Sequence, residues 1–356
     1  MEQKNNKKVM IGMSGGVDSS VSAYILKKQG YDVTGVTMQI WQDGKEDTDT
    51  CCSLTAVEDA RRVASILGIP YYVLNFKREF DEKVIKYFIS EYLQGRTPNP
   101  CIACNRYVKF EELLNKAISM NMDYIATGHY AKVEKVEDRY LLKKSASKTK
   151  DQTYVLYNLT QDQLSKVLFP LEGLEKEEVR RIAKELGLSV YNKPDSQEIC
   201  FVEDNDYSKF IEENSDIDVK PGNIVDTKGN ILGKHNGIFN YTIGQRKGLG
   251  IPSNKALYVI EIDIEKNEVV VGDDSEGYSS ELVAKDINLI SIDRLEKEMR
   301  VDAKIRYGAK ESPATIAPLE DGTIHVHFDV PQRAITPGQA VVFYDKDVVV
   351  GGGIIS

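Results

Sequence analysis

Residues 8–30 read KVMIGMSGGVDSSVSAYILKKQG, and the order of features within them decides the fold of the N-terminal half of the chain. Val9, Met10 and Ile11 make a short apolar run, and residues 14–16 (SGG) break it. From Val17 apolar residues return at helical spacing until Gly30 stops them. The pattern is strand, turn, helix. A Gly-rich turn at this junction points backbone N–H groups and the positive end of the helix dipole at one place, a geometry that holds a phosphate. It lacks the Lys of G-x-x-x-x-G-K-[ST] and the spacing of G-x-G-x-x-G, so neither of those loops applies. The plainer alternative is a tight turn capped by Ser14 and Ser19.

The alternation continues outward. Residues 31–41 (YDVTGVTMQIW), 70–76 (PYYVLNF) and 122–133 (MDYIATGHYAKV) read as strands, the last running into a loop. Residues 57–69 (VEDARRVASILGI) and 80–95 (FDEKVIKYFISEYLQG) read as helices. Strands alternating with helices predict an α/β domain, a doubly wound parallel sheet with helices on both faces. After about residue 205 the texture changes to short β-like runs and turn residues (220–237, 240–252, 255–263). From about residue 282 the runs pair as hairpins, with a tight turn at Asp321–Gly322. The expectation is three domains, 1–204, a small mostly-β domain over 205–279 and a C-terminal β-barrel over 280–356, with linkers near 202–220 and 273–282.

At 356 residues the chain exceeds the roughly 100–200 of one domain. With 41% hydrophobic and 28% charged residues it is an ordinary globular composition. No apolar run approaches the roughly 20 residues that span a bilayer, and the basic start lacks a secretory leader, so a cytoplasmic chain without a membrane partner is expected, most simply a monomer. A net charge of −9 argues against non-specific coating of nucleic acid but leaves room for a local basic patch. Five cysteines, an odd number, exclude a full disulfide framework and give weight to catalytic or metal roles. Cys101 and Cys104 form a C-x-x-C in TPNPCIACNRYVKF (97–110), with no second C-x-x-C or His pair to complete a zinc ribbon.

S-G-G-x-D-S resembles the pyrophosphate loop of the ATP pyrophosphatases, which cleave ATP between the α and β phosphates and leave AMP on a substrate oxygen. Adding GRTPNPCIACN (95–105), ATGHYAKV (126–133), KDQTYVLYNL (150–159), DSQEICFV (195–202), TIGQRKGLGIP (242–252) and TPGQAVVFY (336–344), the chain resembles the tRNA-specific 2-thiouridylases over nearly its full length. The resemblance implies ATP-dependent adenylation of the C2 oxygen of the wobble uridine, with release of pyrophosphate, and then sulfur transfer with release of AMP. It places Gly12, Met13, Ser14, Gly15, Gly16, Val17, Asp18 and Ser19 at the phosphates, with Met38 and Gly128 beside the nucleotide. Met38 could equally be core filler. Mg²⁺ is expected to share the polyphosphate charge.

By the same resemblance Cys200 carries a persulfide delivered by a cysteine desulfurase or sulfur-relay protein, and Cys104 attacks it, forming a transient disulfide, or assists its transfer. Cys101 departs from the pattern: many relatives carry an aspartate there. Three readings stay open. In the first, Cys101, Cys104 and Cys200 ligate three irons of a four-iron, four-sulfur cluster whose open iron carries sulfide; in the second they form a cluster-free relay; in the third they hold zinc or serve structure. Cys51 and Cys52 are read as packing or loop cysteines.

The implied tRNA contacts are Asn99, Pro100, Cys101, His129, Lys150, Asp151, Gln152, Arg306, Tyr307 and Gln339, with Lys, Glu and Gln acceptors as the substrate set. Taken singly, each basic cluster is a solvated surface and a lone His a structural residue. His325 and His327 alternate with Ile324, Val326 and Phe328 and are expected on the solvent face of a strand rather than on a metal.

Overall fold

The computed structural model describes residues 6–41, 54–147, 149–195, 199–202, 204, 206–216 and 219–356; Cys51 and Cys52 lie outside them. The chain divides into two compact units. One runs to Ile85 and takes in Cys101–Val202 and Asp347–Val349; the other comprises Lys86–Pro100, Glu203–Lys346 and Val350–Ser356.

In chain order the elements are β1 (Lys8–Gly12), α1 (Val17–Lys28), β2 (Asp32–Gln39), α2 (Leu54–Leu67), β3 (Tyr71–Asn75), α3 (Lys77–Phe80) and α4 (Lys86–Leu93). Then come α5 (Pro100–Ala103), α6 (Leu113–Ser119), β4 (Tyr124–Ala126), β5 (Ala131–Val136), β6 (Arg139–Lys144), α7 (Gln161–Leu164), β7 (Val167–Leu168) and α8 (Lys176–Glu185). The five-stranded sheet of the first unit has the order β3-β2-β1-β4-β7, every neighbouring pair parallel. Val9, Met10 and Ile11 of its central strand are fully buried, as a strand covered on both faces must be. Val17, Val21 and Leu26 of α1 share one apolar cluster with Val179 and Ala183 of α8, each large side chain contributing about 1.5–3 kcal/mol by leaving water.

Two local departures from helical and strand periodicity bear on the site. The single helix expected over 80–95 is broken by a π-helical stretch, Asp81–Ile85, and α4 beyond it belongs to the second unit. There Phe88 packs edge-on to Phe210, and Tyr92 stacks on Tyr207 with ring centroids 4.8 Å apart. The loop expected after β4 instead forms the β5–β6 hairpin, registered Ala131↔Lys144 to Val136↔Arg139.

The second unit adds α9 (Tyr207–Glu213), β8 (Gly222–Asp226), β9 (Ile231–His235), β10 (Tyr258–Asp263) and β11 (Glu268–Gly272), the four strands forming one sheet of order β10-β11-β8-β9. The stretch expected as a linker, 202–220, thus contains a helix, capped by the Asp206 carboxylate accepting from Lys209 N. Six further strands complete the chain, β12 (Tyr278–Leu289), β13 (Met299–Lys304), β14 (Ser312–Pro318), β15 (Ile324–Arg333), β16 (Ala340–Asp345) and β17 (Val348–Ile355). They close into a barrel because β12 pairs with β15 on one side and with β17 on the other. The architecture is therefore an α/β parallel-sheet domain, a mostly-β central domain and a C-terminal barrel, as the patterning predicts. Ile324, Val326 and Phe328 fill the barrel while His325 and His327 face outward around Glu281. Among the described residues no helix is long and apolar enough to cross a membrane.

Candidate active site

In the order β3-β2-β1-β4-β7 the chain winds one way from β1 and the other way from β4, so a crevice opens beyond the C-terminal ends of these two strands. The SGG turn leaves β1 there. Met13 N donates to Val36 O (2.7 Å), and Thr37 Oγ1 donates to Met13 O (2.6 Å) while accepting from the Tyr71 hydroxyl (2.7 Å). Gly15 has φ +68°, and a Cβ on it would stand 2.4 Å from Ala56 O, so only glycine fits. Gly16 opens α1 with no side-chain cap. The Ser19 hydroxyl turns back to Gly16 O (3.2 Å) and accepts from Ser14 N (3.2 Å), leaving the first-turn N–H groups to an outside acceptor. The loop after β4 closes on the same turn: a Cβ on Gly128 would lie 2.7 Å from Ser19 N. Met38 reaches the end of β1, its Cε 3.8 Å from where a Cβ of Gly12 would stand. An uncapped helix start, cradled by backbone at positions closed to side chains, suits a polyphosphate.

A charge network adjoins it. Lys176, the first residue of α8 and only 7% exposed, donates to Asp18 Oδ1 (2.8 Å) and Oδ2 (2.7 Å) and pairs with Asp195 Oδ1 (2.7 Å). Lys150 and Arg180 also bind Asp195, at 2.7 Å and 3.2 Å, and the Tyr130 hydroxyl donates to Asp18 (2.8 Å). Burial pushes the Asp195 carboxyl up, but the hydrogen bonds from Lys150 and Lys176 outweigh it and hold it below the ordinary carboxylate value. Burial and the neighbouring Asp18 charge push the Tyr130 phenol far up, keeping it a protonated donor. Sequence reading found Asp18 and Lys150 but not Lys176, Asp195, Arg180 or Tyr130. Lys176 sits in the charged run EKEEVRR, where nothing local separates a buried cation from a solvated one.

Pro100 occupies the first position of α5, where its fixed φ and missing N–H cost nothing. Cys101 is exposed; Cys104, one turn on, is buried and opens a π-helical stretch, Cys104–Glu112. Asn105 Nδ2 donates to Val155 O (2.9 Å), fixing this turn against residues 153–156. Cys200 is half-buried, and the Phe201 ring beside it packs edge-on to Phe80. None of the three cysteines is in a disulfide, and among the described residues no three Cys, His, Asp or Glu side chains converge to hold a metal ion. The cluster, relay and zinc or structural readings of Cys101, Cys104 and Cys200 therefore gain no support from the geometry, in which Cys101 is exposed, Cys104 buried and Cys200 half-buried.

A profile described as the tRNA methyl transferase HUP domain matches residues 7–204. A tRNA methyl transferase PRC-barrel profile matches 208–273, and an aminomethyltransferase beta-barrel profile matches 279–355. A tRNA-specific 2-thiouridylase of Acetivibrio thermocellus is 66% identical over 99% of both chains. The chain belongs to the tRNA-specific 2-thiouridylase family. A second thiouridylase, from Clostridioides difficile, is 62% identical over 98% of both chains. A solved 4-thiouridine synthetase–RNA complex with bound ATP overlaps only loosely, with TM-score 0.36 and 20% identity over 58% of this chain and 50% of that one.

Of the tRNA contacts that the thiouridylase pattern implies, several already have partners within the chain. His129 is buried: its Nδ1 lies 2.7 Å from Thr127 Oγ1, and its ring packs near Phe110 and Phe169. Burial, aided by the Lys109 charge, pushes its pKa well below the usual imidazole value, so it is neutral. Gln152 exchanges hydrogen bonds with the Tyr130 backbone (2.9 and 3.0 Å), and Asp151 accepts from Thr153 Oγ1 (2.7 Å). In the second unit, Tyr307 is 46% exposed beneath the Lys304 ammonium, Arg306 reaches Arg333 O (3.4 Å), and Asn99 is half-buried. Gln339 Nε2 donates to Thr97 O (2.8 Å). The loop around Gly244, Gly248 and Gly250, all at positive φ, presents exposed Arg246 and Lys247.

Proposed function

We propose that this chain uses ATP to exchange the C2 oxygen of the tRNA wobble uridine for sulfur, as a tRNA-uridine 2-sulfurtransferase. The observation that carries this reading is the uncapped start of α1, enclosed by Gly15, Gly16 and Gly128 and flanked by the buried Lys176 ammonium. A triphosphate laid there has its phosphates on the N–H groups of Gly16 to Ser19; to hold Mg²⁺, which would neutralise charge on the leaving pyrophosphate, Asp18 or Asp195 would exchange one of its contacts with Lys176 for the ion. The uridine O2 attacks the α-phosphorus and pyrophosphate leaves, so that C2 now carries AMP as a leaving group.

Sulfur comes from a persulfide on Cys200, placed there by an external sulfur donor. The Cys104 thiolate attacks Cys200 Sγ, forming a disulfide and expelling HS⁻; sulfide adds to C2, and AMP departs with the former uridine oxygen. A thiol reductant then restores both cysteines. The exposed Cys101 takes the place of the family's aspartate near the base, with Asn99 and Pro100 bordering the pocket. The tRNA set is that of Lys, Glu and Gln acceptors.

The profile descriptions favour a second reading, methyl transfer, and the loop alone would allow adenylation of a small carboxylate or amide. Pyrophosphate release that depends on an anticodon stem-loop with an unmodified wobble uridine, and thiolation of that uridine, separate the three. Methyl transfer releases no pyrophosphate, and carboxylate adenylation needs no RNA. Asp18→Ala and Cys200→Ser are expected to abolish thiolation while tRNA binding persists; intact thiolation in either variant would overturn the assignment.

A further inference from the structure

Within the first unit the Asp18 carboxylate is held by two donors of different kind. Lys176 Nζ donates to Oδ1 (2.8 Å) and Oδ2 (2.7 Å), and the Tyr130 hydroxyl donates to Oδ1 (2.8 Å). An ammonium has three N–H bonds, and the third neighbour of this one is Asp195 Oδ1 (2.7 Å). Two carboxylates beside a place for polyphosphate are the donor set that Mg²⁺ takes, and to reach either one the ion must displace a contact of Lys176. Tyr130, by contrast, is fixed on every side. Its ring is fully buried in the apolar cluster of Val17 and Val21 of α1 and Val179 of α8. Gln152 holds both polar groups of its main chain: Gln152 Oε1 accepts from Tyr130 N (2.9 Å), and Gln152 N donates to Tyr130 O (3.0 Å). Two residues earlier on the same loop, a Cβ on Gly128 would stand 2.9 Å from Asp18 C and 3.1 Å from Asp18 Cβ. One short segment after β4 therefore packs on the main chain of Asp18 and anchors its carboxylate. The two donors also differ in charge. An ammonium cancels the charge of a carboxylate and repels a second cation, whereas a neutral phenol fixes the direction of the oxygens and leaves their charge in place.

We propose that Tyr130 is a positioning residue for the ATP step: its hydroxyl keeps the Asp18 carboxylate in place to receive Mg²⁺ when Lys176 gives up a contact. The inference rests on the reading of the α1 start as the ATP site and deepens it by separating the two donors. Lys176 is the partner that is exchanged; Tyr130 is the one that stays. Loss of the hydroxyl therefore leaves the phosphate cradle of Gly15, Gly16 and Gly128 intact and weakens only what depends on the ion.

The test uses Tyr130→Phe in the full-length protein, which removes the hydroxyl and keeps the buried ring. The dissociation constant of α,β-methylene-ATP, which cannot be cleaved between its α and β phosphates, is measured without RNA, in EDTA and over a series of Mg²⁺ concentrations. RNA-dependent pyrophosphate release from ATP is followed over the same series. The variant is expected to need about 10- to 100-fold more Mg²⁺ for its half-maximal effect on analogue binding and on turnover, the usual cost of losing a partner behind a metal ligand. Analogue binding in EDTA should stay within about twofold of the parent, and turnover should recover as Mg²⁺ is raised. Equal weakening in EDTA and in Mg²⁺ would make Tyr130 a packing residue and overturn the proposal, as would an unchanged Mg²⁺ requirement. If the parent releases no pyrophosphate with RNA, the functional reading fails, while the Mg²⁺ series on analogue binding still decides whether Tyr130 governs Asp18. A parent whose analogue binding is indifferent to Mg²⁺ overturns the inference by itself.

Discussion

Lys176 Nζ stands 2.7 Å from Asp18 Oδ2 across 158 residues of chain, and the same ammonium reaches Asp195 at 2.7 Å. One buried cation thus holds the phosphate-loop carboxylate and the carboxylate of the DSQEIC segment together. Removing it leaves two crowded carboxylates and, in the proposed reaction, withdraws a positive charge from beside the leaving pyrophosphate.

Lys176→Met is accordingly expected to lower RNA-dependent pyrophosphate release about 100-fold or more, the cost of deleting one preorganised electrostatic contact. Loss of charged hydrogen bonds should also cost about 1.5–3 kcal/mol of stability, moderated by Lys150 and Arg180, which still face Asp195. Urea unfolding together with a pyrophosphate assay checks both; wild-type turnover would detach Lys176 from the chemistry.

Gly128→Ala tests the cradle. Its methyl group would press on Ser19 N and the Asp18 backbone at 2.7–2.9 Å, rigid atoms that cannot step aside. The expected result is an ATP KM raised about tenfold or more with tRNA affinity unchanged. Unaltered ATP kinetics would show that the start of α1 is not where ATP binds.

His129 gives stability a pH dependence. Burial holds its folded-state pKa well below the ordinary value, so the unfolded chain takes up the proton first. Stability is then complete above pH about 6.5 and falls as the pH drops below it, by up to about 1.4 kcal/mol per pH unit. His235, lowered by burial against an opposing hydrogen bond to Asn267 O, adds in the same direction. Urea midpoints at pH 7.5, 6.5 and 5.5 should fall steadily, and His129→Gln should flatten the decline; an unchanged slope in that variant would refute the buried neutral state.

The cysteines differ in access, and reagents should report it. Iodoacetamide is expected to modify Cys101 well before Cys104, which is only 8% exposed. Because the proposed persulfide route uses only Cys104 and Cys200 and an external sulfur donor, anaerobically purified protein is expected to thiolate tRNA with near-zero iron and acid-labile sulfide. About four of each per chain, lost together with activity on chelation, would replace the persulfide route with a cluster.

Much of the fold was legible locally. KVMIGMSGGVDSS placed a strand, a glycine turn and a helix start because backbone conformation is set by residues a few positions apart, and Gly15 does occupy the left-handed region. The alternation of Ile324, Val326 and Phe328 with His325 and His327 correctly assigned the two faces of β15, since the pleat has period two. Harder to see was the β5–β6 hairpin, which has the charged two-residue turn Glu137–Asp138 in place of a glycine signal; Glu137 itself takes φ +52°.

By itself, then, the sequence determined the parallel α/β start of the chain, the glycine turn that opens α1 and the family, all properties of short windows and their succession. The tertiary structure alone decided which groups meet: Lys176 with Asp18 and Asp195, Gln339 with Thr97, and a buried His129 beside Phe110 rather than a surface one. Burial and pairing between residues far apart depend on how sheets and helices stack. The free energy of a charge turns on that surrounding medium, which no local pattern encodes.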